Sequence, residues 1–363
     1  MIETKIFKID PLNINRDLIK EAADIIRRGG LVAFPTETVY GLGADVFNVD
    51  SVKKIFEVKR RATDNPLIIH LCRKEDLYEI AREIPHKALR LIDKMWPGPL
   101  TLILKKTDKV PYEATGGLDT VAVRIPAHPV ALELICSSGT FIAAPSANLS
   151  GRPSPTRAEH VIRDLYGSID AIIDSGETLF GIESTILNIL TDPPMLLRPG
   201  AYPVEVIEEI LNEKIYIPPF ARGLGEAERA LAPGTRYRHY APNVPLILVE
   251  AENYSWEALD KIVREISMNA QRDLSNNKRV AIIASRETID LYSKYIKDLD
   301  NIILIEIGSR ANLYEIAKRV FDTLRRLDDL EVDIAYIEGF EEKSIGLSVV
   351  NRIRKASTKV IRV

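Results

Sequence analysis

Five short stretches carry the residue types that hold anions. Lys59-Arg60-Arg61 puts three cations at the end of a helical pattern marked by Val52, Ile55 and Phe56. Arg124 and Arg198 each close an apolar run, after Thr120-Val-Ala-Val and Met195-Leu-Leu. Pro145-Ser146-Ala147-Asn148, with Ser150-Gly151, sets hydroxyls, an amide and a glycine just behind Phe141-Ile-Ala-Ala144. Gly181-Ile-Glu-Ser184-Thr185 is a polar loop that enters another apolar run. Each has an ordinary reading. Cations complement the dipole at a helix C-terminus, a lone arginine at a strand tip is solvated, and a Ser/Asn loop is an Asx turn. Each equally suits a cradle of hydroxyls, N–H groups and cations around phosphate or carboxylate. Together they describe strand ends bearing Thr, Ser, Asn, Lys or Arg, with no candidate nucleophile–base pair. A site of that kind positions reactants and neutralises charge instead of attacking with its own side chain.

Other chemistries fail on spacing. Gly176-Glu-Thr-Leu-Phe-Gly181 has the glycines of a phosphate loop, but Ile182-Glu183 follows where Lys and Ser/Thr are required. No Gly-x-Gly-x-x-Gly follows a strand in the second half. The histidines are His70, His86, His128, His160 and His239, and none is paired at metal-ligand spacing. His70 and Cys72 would share a strand face, but two ligands do not make a site. We therefore expect no protein-bound structural metal. The two cysteines, Cys72 and Cys136, lie far apart in sequence, which argues against a disulfide framework and fits a reducing compartment. Net charge is −3 and the pI about 6.1, so a global basic footprint for nucleic acid is absent. No signal-peptide pattern opens the chain and no apolar run approaches a membrane span. The expected location is cytoplasmic, with no membrane partner.

These side chains need a scaffold. Leu31 to Phe34 is a buried-strand pattern that stops at Pro35, which cannot donate to a ladder. The loop through Thr36-Glu37-Thr38-Val39-Tyr40 leads to Gly41 and Gly43, which permit close backbone approach or positive φ. Strand patterns recur at 5–9, 66–71, 100–104, 120–124, 141–144, 171–174, 185–190 and 195–198, interleaved irregularly with helical ones. Thr156-Arg-Ala-Glu159 has the spacing of a capping box. This predicts an α/β domain with a mixed, twisted sheet over residues 1–211. Periodicity fades over 212–243, where Pro218-Pro219, Gly223, Gly225 and Pro233-Gly234 cluster before Arg236-Tyr-Arg-His-Tyr-Ala-Pro242, so the stretch is a linker or lid. Over 244–363 five strands alternate with four helices, predicting a second, smaller, doubly wound parallel sheet.

Taken in order, a set of motifs resembles the YrdC-like fold of threonylcarbamoyl-AMP synthases. They are Pro35-Thr-Glu-Thr-Val-Tyr-Gly-Leu42, Lys59-x-Arg61, Asn65-Pro-Leu-x-x-His70, Trp96-Pro-Gly-Pro-Leu-Thr101, Val123-Arg-x-Pro126, Ala144-Pro-Ser-Ala-Asn-x-Ser-Gly151, Ser184-Thr185 and Leu197-Arg-Pro-Gly200. Pro233-Gly-x-Arg-Tyr-Arg-His-Tyr-Ala-Pro242, followed by an α/β domain, resembles the longer two-domain form with a Rossmann-like C-terminal domain. The resemblance implies a YrdC-like catalytic domain whose twisted sheet encloses a concave basic cavity. It implies condensation of L-threonine, bicarbonate and ATP to threonylcarbamoyl-adenylate and pyrophosphate, with Mg²⁺ on the nucleotide. The product would pass to a separate tRNA threonylcarbamoyl transferase for t6A modification; stable binding of tRNA is left open. The family signature falls on Lys59, Arg61, Ser146 and Asn148. By similarity Lys59, Arg61, Thr63, Ser146, Arg198 and Tyr237 would hold ATP, with Thr120 and Ser154 nearby. Thr36, His70, Arg124 and Ser184 would hold threonine, Arg124 pairing with its carboxylate. Losing Lys59 or Arg61 is expected to abolish pyrophosphate release and leave the fold intact. Ala62 stands where the family usually has proline. Two rival readings have sequence tests: a zinc-finger carbamoyltransferase needs more cysteines, and an RNA-binding module needs more aromatic platforms than 7% supplies.

Overall fold

A computed structural model describes residues 2–236, 240–296 and 301–363. It divides into two compact units, residues 1–150 with 154–237, and residues 151–153 with 238–363.

The first unit is built on one mixed sheet of eleven strands. In chain order these are β1 (Lys5–Lys8), β2 (Val32–Phe34), β3 (Gly41–Asp45), β4 (Ile68–His70), β5 (Ala81–Arg82) and β6 (Leu100–Lys106), then β7 (Thr120–Arg124), β8 (Ile142–Ala144), β9 (Ala171–Asp174), β10 (Thr185–Asn188) and β11 (Met195–Arg198). They lie in the order β1-β9-β2-β3-β8-β4-β7-β6-β10-β11, with β5 paired to β6. β4 runs parallel to β7 and β6 to β10, while β6 and β7 are antiparallel. The carboxyl ends of β4 and β7 therefore meet the amino ends of β6 and β10. The helix Arg16–Arg27 starts at Asn15, whose side chain accepts from the amides of Asp17 and Leu18. It buries Ile19, Ala22, Ala23 and Ile26 in a cluster with Val32, Phe34, Leu134, Ile142 and Ile173.

Three local readings change. Gly41 and Gly43 lie inside a strand, and neither has positive φ. Their value is close approach: a Cβ on Gly43 would stand 2.7 Å from Ile142 and 2.8 Å from the Phe34 ring. Thr156 does not cap the next helix. That helix is Ala158–Leu165 with Arg157 at its N-cap position, and the Thr156 amide meets His160 Nδ1 instead. Cys72 and Cys136 form a disulfide, S–S 1.97 Å and Cα–Cα 5.1 Å. Their separation of 64 residues concealed this. Cys72 lies just past β4, the helix Pro129–Ser138 carries Cys136, and the Cys72 side chain packs on the core cluster to which that helix contributes. The cysteines thus give no argument for a reducing compartment.

The second unit has the parallel sheet expected of it. β12 (Leu246–Glu250), β13 (Val280–Ser285), β14 (Ile302–Gly308), β15 (Ile334–Glu338) and β16 (Lys359–Arg362) lie in the order β14-β13-β15-β12-β16, every pair parallel. The helical pattern at 286–297 resolves into a 3-10 turn, Ile289–Leu291, and one short helix, Tyr292–Tyr295; Lys297 is outside the described residues. At the strand ends the buried Glu338 carboxylate accepts from Ser285, Thr288, Tyr292 and Arg310, so its charge is compensated within the unit.

Candidate functional site

Side chains alternate along a strand, and one face of the first sheet carries most of the candidates. Ile68 and His70 share a face of β4, Thr101 and Ile103 of β6, and Ala122 and Arg124 of β7. Ser184 leads into β10, whose Ile186 points the same way. The apolar members Ile68, Ile103, Ala122 and Ile186 form a buried cluster with Leu197, and Ala232, Leu231 and Phe220 from the connecting stretch pack on it. The polar members stand at the strand ends beside that cluster. So Phe220, Leu231 and Ala232, from the stretch read as linker or lid, lie on the site's face of the first unit.

His70 and Arg124 are register partners across β4 and β7. Both are buried, at 4% and 3% exposure. Burial, and then the Arg124 charge, push the His70 imidazole down to a pKa of about 3, so it is neutral. Its Nδ1 lies 3.2 Å from the Ile68 carbonyl. Burial also lowers the pKa of Arg124, and the Glu37 carboxylate opposes that shift. Arg124 Nη1 donates to Thr38 Oγ1 at 3.1 Å, and Nη2 stands 3.8 Å from Glu37 Oε2.

Glu37 and Thr38 reach Arg124 because Pro35 ends β2 and forces the chain into a loop before β3. Thr36 stabilises that loop. Its hydroxyl accepts from the amides of Thr38 and Val39 and lies 2.6 Å from the Val39 carbonyl. Thr38, not singled out from sequence, is the loop hydroxyl that meets the arginine. The Leu42 amide donates to the Pro145 carbonyl and the Ala147 amide to the Tyr40 carbonyl, so this loop and Pro145–Asn148 are stitched together. The Tyr40 hydroxyl donates to the Gly176 carbonyl at 2.7 Å. The glycine-spaced loop 176–181 spends its amides on neighbours: Thr178 donates to Thr156 and Phe180 to Glu37.

Lys59, Ser146 and Asn148 come together as the motif implies. Lys59 ends its helix, and Arg60 turns the chain through the left-handed region at φ 53°. The Lys59 ammonium, 1% exposed, donates to the carbonyl of Ser146 at 2.5 Å and to that of Asn148. Arg61 is half-buried and braces its own loop through the carbonyls of Asn65 and Pro66. Thr63 on that loop is exposed. Thr120 opens β7 on the same face as Arg124 but at the other end, roughly 13 Å away at strand rise.

Ser184 and Arg198 are also joined. The Ser184 hydroxyl lies 2.8 Å from Thr101 Oγ1 and accepts from Arg198 at 3.2 Å. Arg198 also holds the Ser184 carbonyl and reaches the Pro233 carbonyl at 3.4 Å. Gly200 makes this crossing possible: a Cβ there would stand 2.2 Å from the Ser184–Thr185 peptide. Ser154 is buried and donates to Glu183 Oε1 at 2.9 Å, a partner the sequence did not suggest. Tyr237 lies outside the described residues. Among those described, no group of three or more His, Cys, Asp or Glu could hold a metal ion.

The candidate residues thus include three buried cations, Lys59, Arg124 and Arg198, and two buried carboxylates, Glu37 and Glu183. Buried charge is costly unless it is matched, and anionic groups on this face would meet cations already desolvated and fixed in place.

Comparison with known proteins gives two family-model matches. One described as "Telomere recombination" covers residues 24–200, and one described as "Threonylcarbamoyl-AMP synthase, C-terminal domain" covers residues 202–358. The chain is 49% identical to the threonylcarbamoyl-AMP synthase of Pyrococcus abyssi, over 93% of this chain and 94% of the relative. It is 43% identical to that of Bacillus subtilis, over 97% of each. The crystal structure of P. abyssi Sua5 complexed with L-threonine superposes with a TM-score of 0.90 at 46% identity, covering 99% of this chain and all of that one.

Proposed function

The chain belongs to the threonylcarbamoyl-AMP synthase family and has its activity, and we propose that the buried face of the first unit is where L-threonine, bicarbonate and ATP react. The carrying observation is the placement of His70, Arg124, Ser184 and Arg198 along five adjoining strands, β4-β7-β6-β10-β11, with Thr101 of β6 bonded to Ser184 and Ser184 to Arg198. Arg124 takes the threonine carboxylate, with Ser184, His70 and Thr36 around the rest of the amino acid. A neutral His70 suits that role, since it adds no second positive charge beside Arg124. Lys59, Arg61, Thr63, Ser146 and Arg198 surround the phosphates, with Asn148 fixing the loop and Thr120, Ser154 and Tyr237 around the nucleotide.

The chemistry needs no protein nucleophile. The threonine amine, as its free base, attacks the carbon of bicarbonate, and water leaves to give the carbamate. The resulting carbamate oxygen attacks the α-phosphorus of ATP, and pyrophosphate leaves. The protein supplies proximity, charge neutralisation and exclusion of water from a labile carbamate. Mg²⁺ bound to the ATP phosphates would supply further neutralisation of their charge. Of the connecting stretch, residues 212–236 act as a cover: Ala232 and Pro233 lie against the site's face, and opening there would admit substrates and release product. The product then serves a tRNA threonylcarbamoyl transferase in t6A formation, in the cytoplasm where ATP and tRNA are available. Among the described residues, no helix is long and apolar enough to cross a membrane.

The test is direct. Incubation with ATP, L-threonine and bicarbonate is expected to yield threonylcarbamoyl-adenylate and pyrophosphate, with turnover needing all three. ATP consumption indifferent to threonine or bicarbonate would refute the reading.

A further inference from the structure

Glu37 has a role in this site that the family signature does not give it. Its side chain is 4% exposed, and among the described residues neither Oε1 nor Oε2 has a hydrogen-bond partner. The nearby cation, Arg124, stands at 3.8 Å, near enough to balance the charge and too far for a hydrogen bond. A carboxylate has about four acceptor positions, and leaving them empty in a dry site is costly. Its neighbour is incomplete in the complementary sense: Arg124 Nε is buried and also has no partner. Side by side there is thus an unfilled N–H donor and an unfilled pair of carboxylate oxygens.

An amino-acid zwitterion supplies what both lack. Its carboxylate accepts from guanidinium N–H groups, and its ammonium offers three donors to a carboxylate. We propose that Glu37 is the group that binds the α-ammonium of the amino-acid substrate, opposite Arg124, and so fixes where that nitrogen stands for carbamoylation once it has lost its proton. The inference rests on the reading of this face as the threonine pocket. Glu37 is carried into place by backbone: its carbonyl accepts from the Phe180 amide, and Thr36 and Thr38 on either side are held by the bonds described above. The simpler role, a counter-charge for Arg124 alone, would be met by a carboxylate already hydrogen-bonded to protein groups.

The experiment is a cycle of two ligands and two proteins, read by calorimetry on the full chain. The ligands are L-threonine and its deamino analogue, 2,3-dihydroxybutanoate of matching configuration, in which a hydroxyl replaces the ammonium. Wild type is expected to bind threonine at least 10-fold more tightly than the analogue. Glu37→Gln is expected to lose about 10- to 100-fold in threonine affinity, the scale of a charge-assisted pair, and to bind the analogue within about 3-fold of wild type. Equal losses for both ligands would make Glu37 a purely structural counter-charge and overturn the proposal. Equal affinity of wild type for the two ligands overturns it without any variant, should Glu37→Gln not fold. Failure of wild type to bind threonine at all would instead overturn the pocket reading on which the proposal stands.

Discussion

Lys59 and Arg61 stand two residues apart in one signature, yet the structure separates what their loss should do. The Lys59 ammonium is buried and donates to the carbonyls of Ser146 and Asn148, fastening the Pro145–Asn148 loop to the end of its helix. Lys59→Met keeps the aliphatic stem and removes both bonds. Hydrogen bonds to a charged group contribute about 1.5–3 kcal/mol each, and two buried carbonyls lose a donor. Against this, the variant no longer buries an ammonium, which offsets several kcal/mol. The net cost is about 2–4 kcal/mol, and at roughly 2–4 °C per kcal/mol for a domain of this size the melting temperature falls by about 5–15 °C. Arg61→Ala differs: the side chain is half-buried, and its bonds to the Asn65 and Pro66 carbonyls stay within its own loop. Its cost is about 1 kcal/mol, with melting within roughly 4 °C of wild type. Pyrophosphate release is expected to fall at least about 100-fold in both, the scale of one lost transition-state donor. The assays are calorimetric melting and pyrophosphate release with all three substrates. Lys59→Met melting with wild type would refute the fastener argument, and wild-type turnover by Arg61→Ala would refute its phosphate role. Both variants are expected to stay folded at room temperature, the Lys59 variant with the larger loss of stability.

Ser184→Ala removes the hydroxyl bridging Thr101 and Arg198 but leaves the carbonyl that Arg198 also holds. The KM for threonine should rise about 10-fold with that for ATP within about 2-fold, read by steady-state kinetics. His70 is held neutral with a pKa near 3, below the 6.5 of an exposed histidine. The unfolded chain then binds the extra proton first, so stability falls as pH drops from about 6.5 toward 3, by up to about 1.4 kcal/mol per pH unit. Urea melts of wild type and His70→Gln between pH 4 and 7 should show a shallower slope in the variant. Cys136 is exposed, and its disulfide closes a segment of 64 residues. Cys136→Ser should cost about 2–4 kcal/mol by loop-closure entropy, and dithiothreitol should lower the melting temperature of wild type but not of the variant.

The sequence exposed the strands and the site cations because both have local signatures. An apolar run of four to seven residues ending in Pro35, Arg124 or Arg198 is visible without knowing its neighbours. What escaped notice depends on partners distant in the chain. Thr38 matters because Arg124 lies 86 residues on, and Ser154 because Glu183 lies 29 on. The disulfide needed Cys72 and the helix Pro129–Ser138 to meet over one core, which no spacing rule announces. Thr156 had capping-box spacing, but the His160 ring competed for its amide. Gly41 and Gly43 left close approach and positive φ both open, because glycine permits either. Phe34 and Ile142 crowd that strand so closely that only glycine fits at position 43. The linker looked structureless from periodicity alone; Phe220, Leu231 and Ala232 find their order on another element's surface.

Alternation along the strands ties two properties that a protein engineer would like to adjust one at a time. Ile68, Ile103, Ala122 and Ile186 grip the connecting stretch, and their neighbours two residues along are His70, Thr101, Arg124 and Ser184. A bulkier or smaller apolar residue chosen to raise heat resistance would shift the backbone that aims the substrate groups. Conversely, variants selected for a different amino acid would loosen or tighten the cover without touching it. Robustness and selectivity are inherited here as one trait, and libraries that vary both sets of positions together should recover improved enzymes that neither set yields alone.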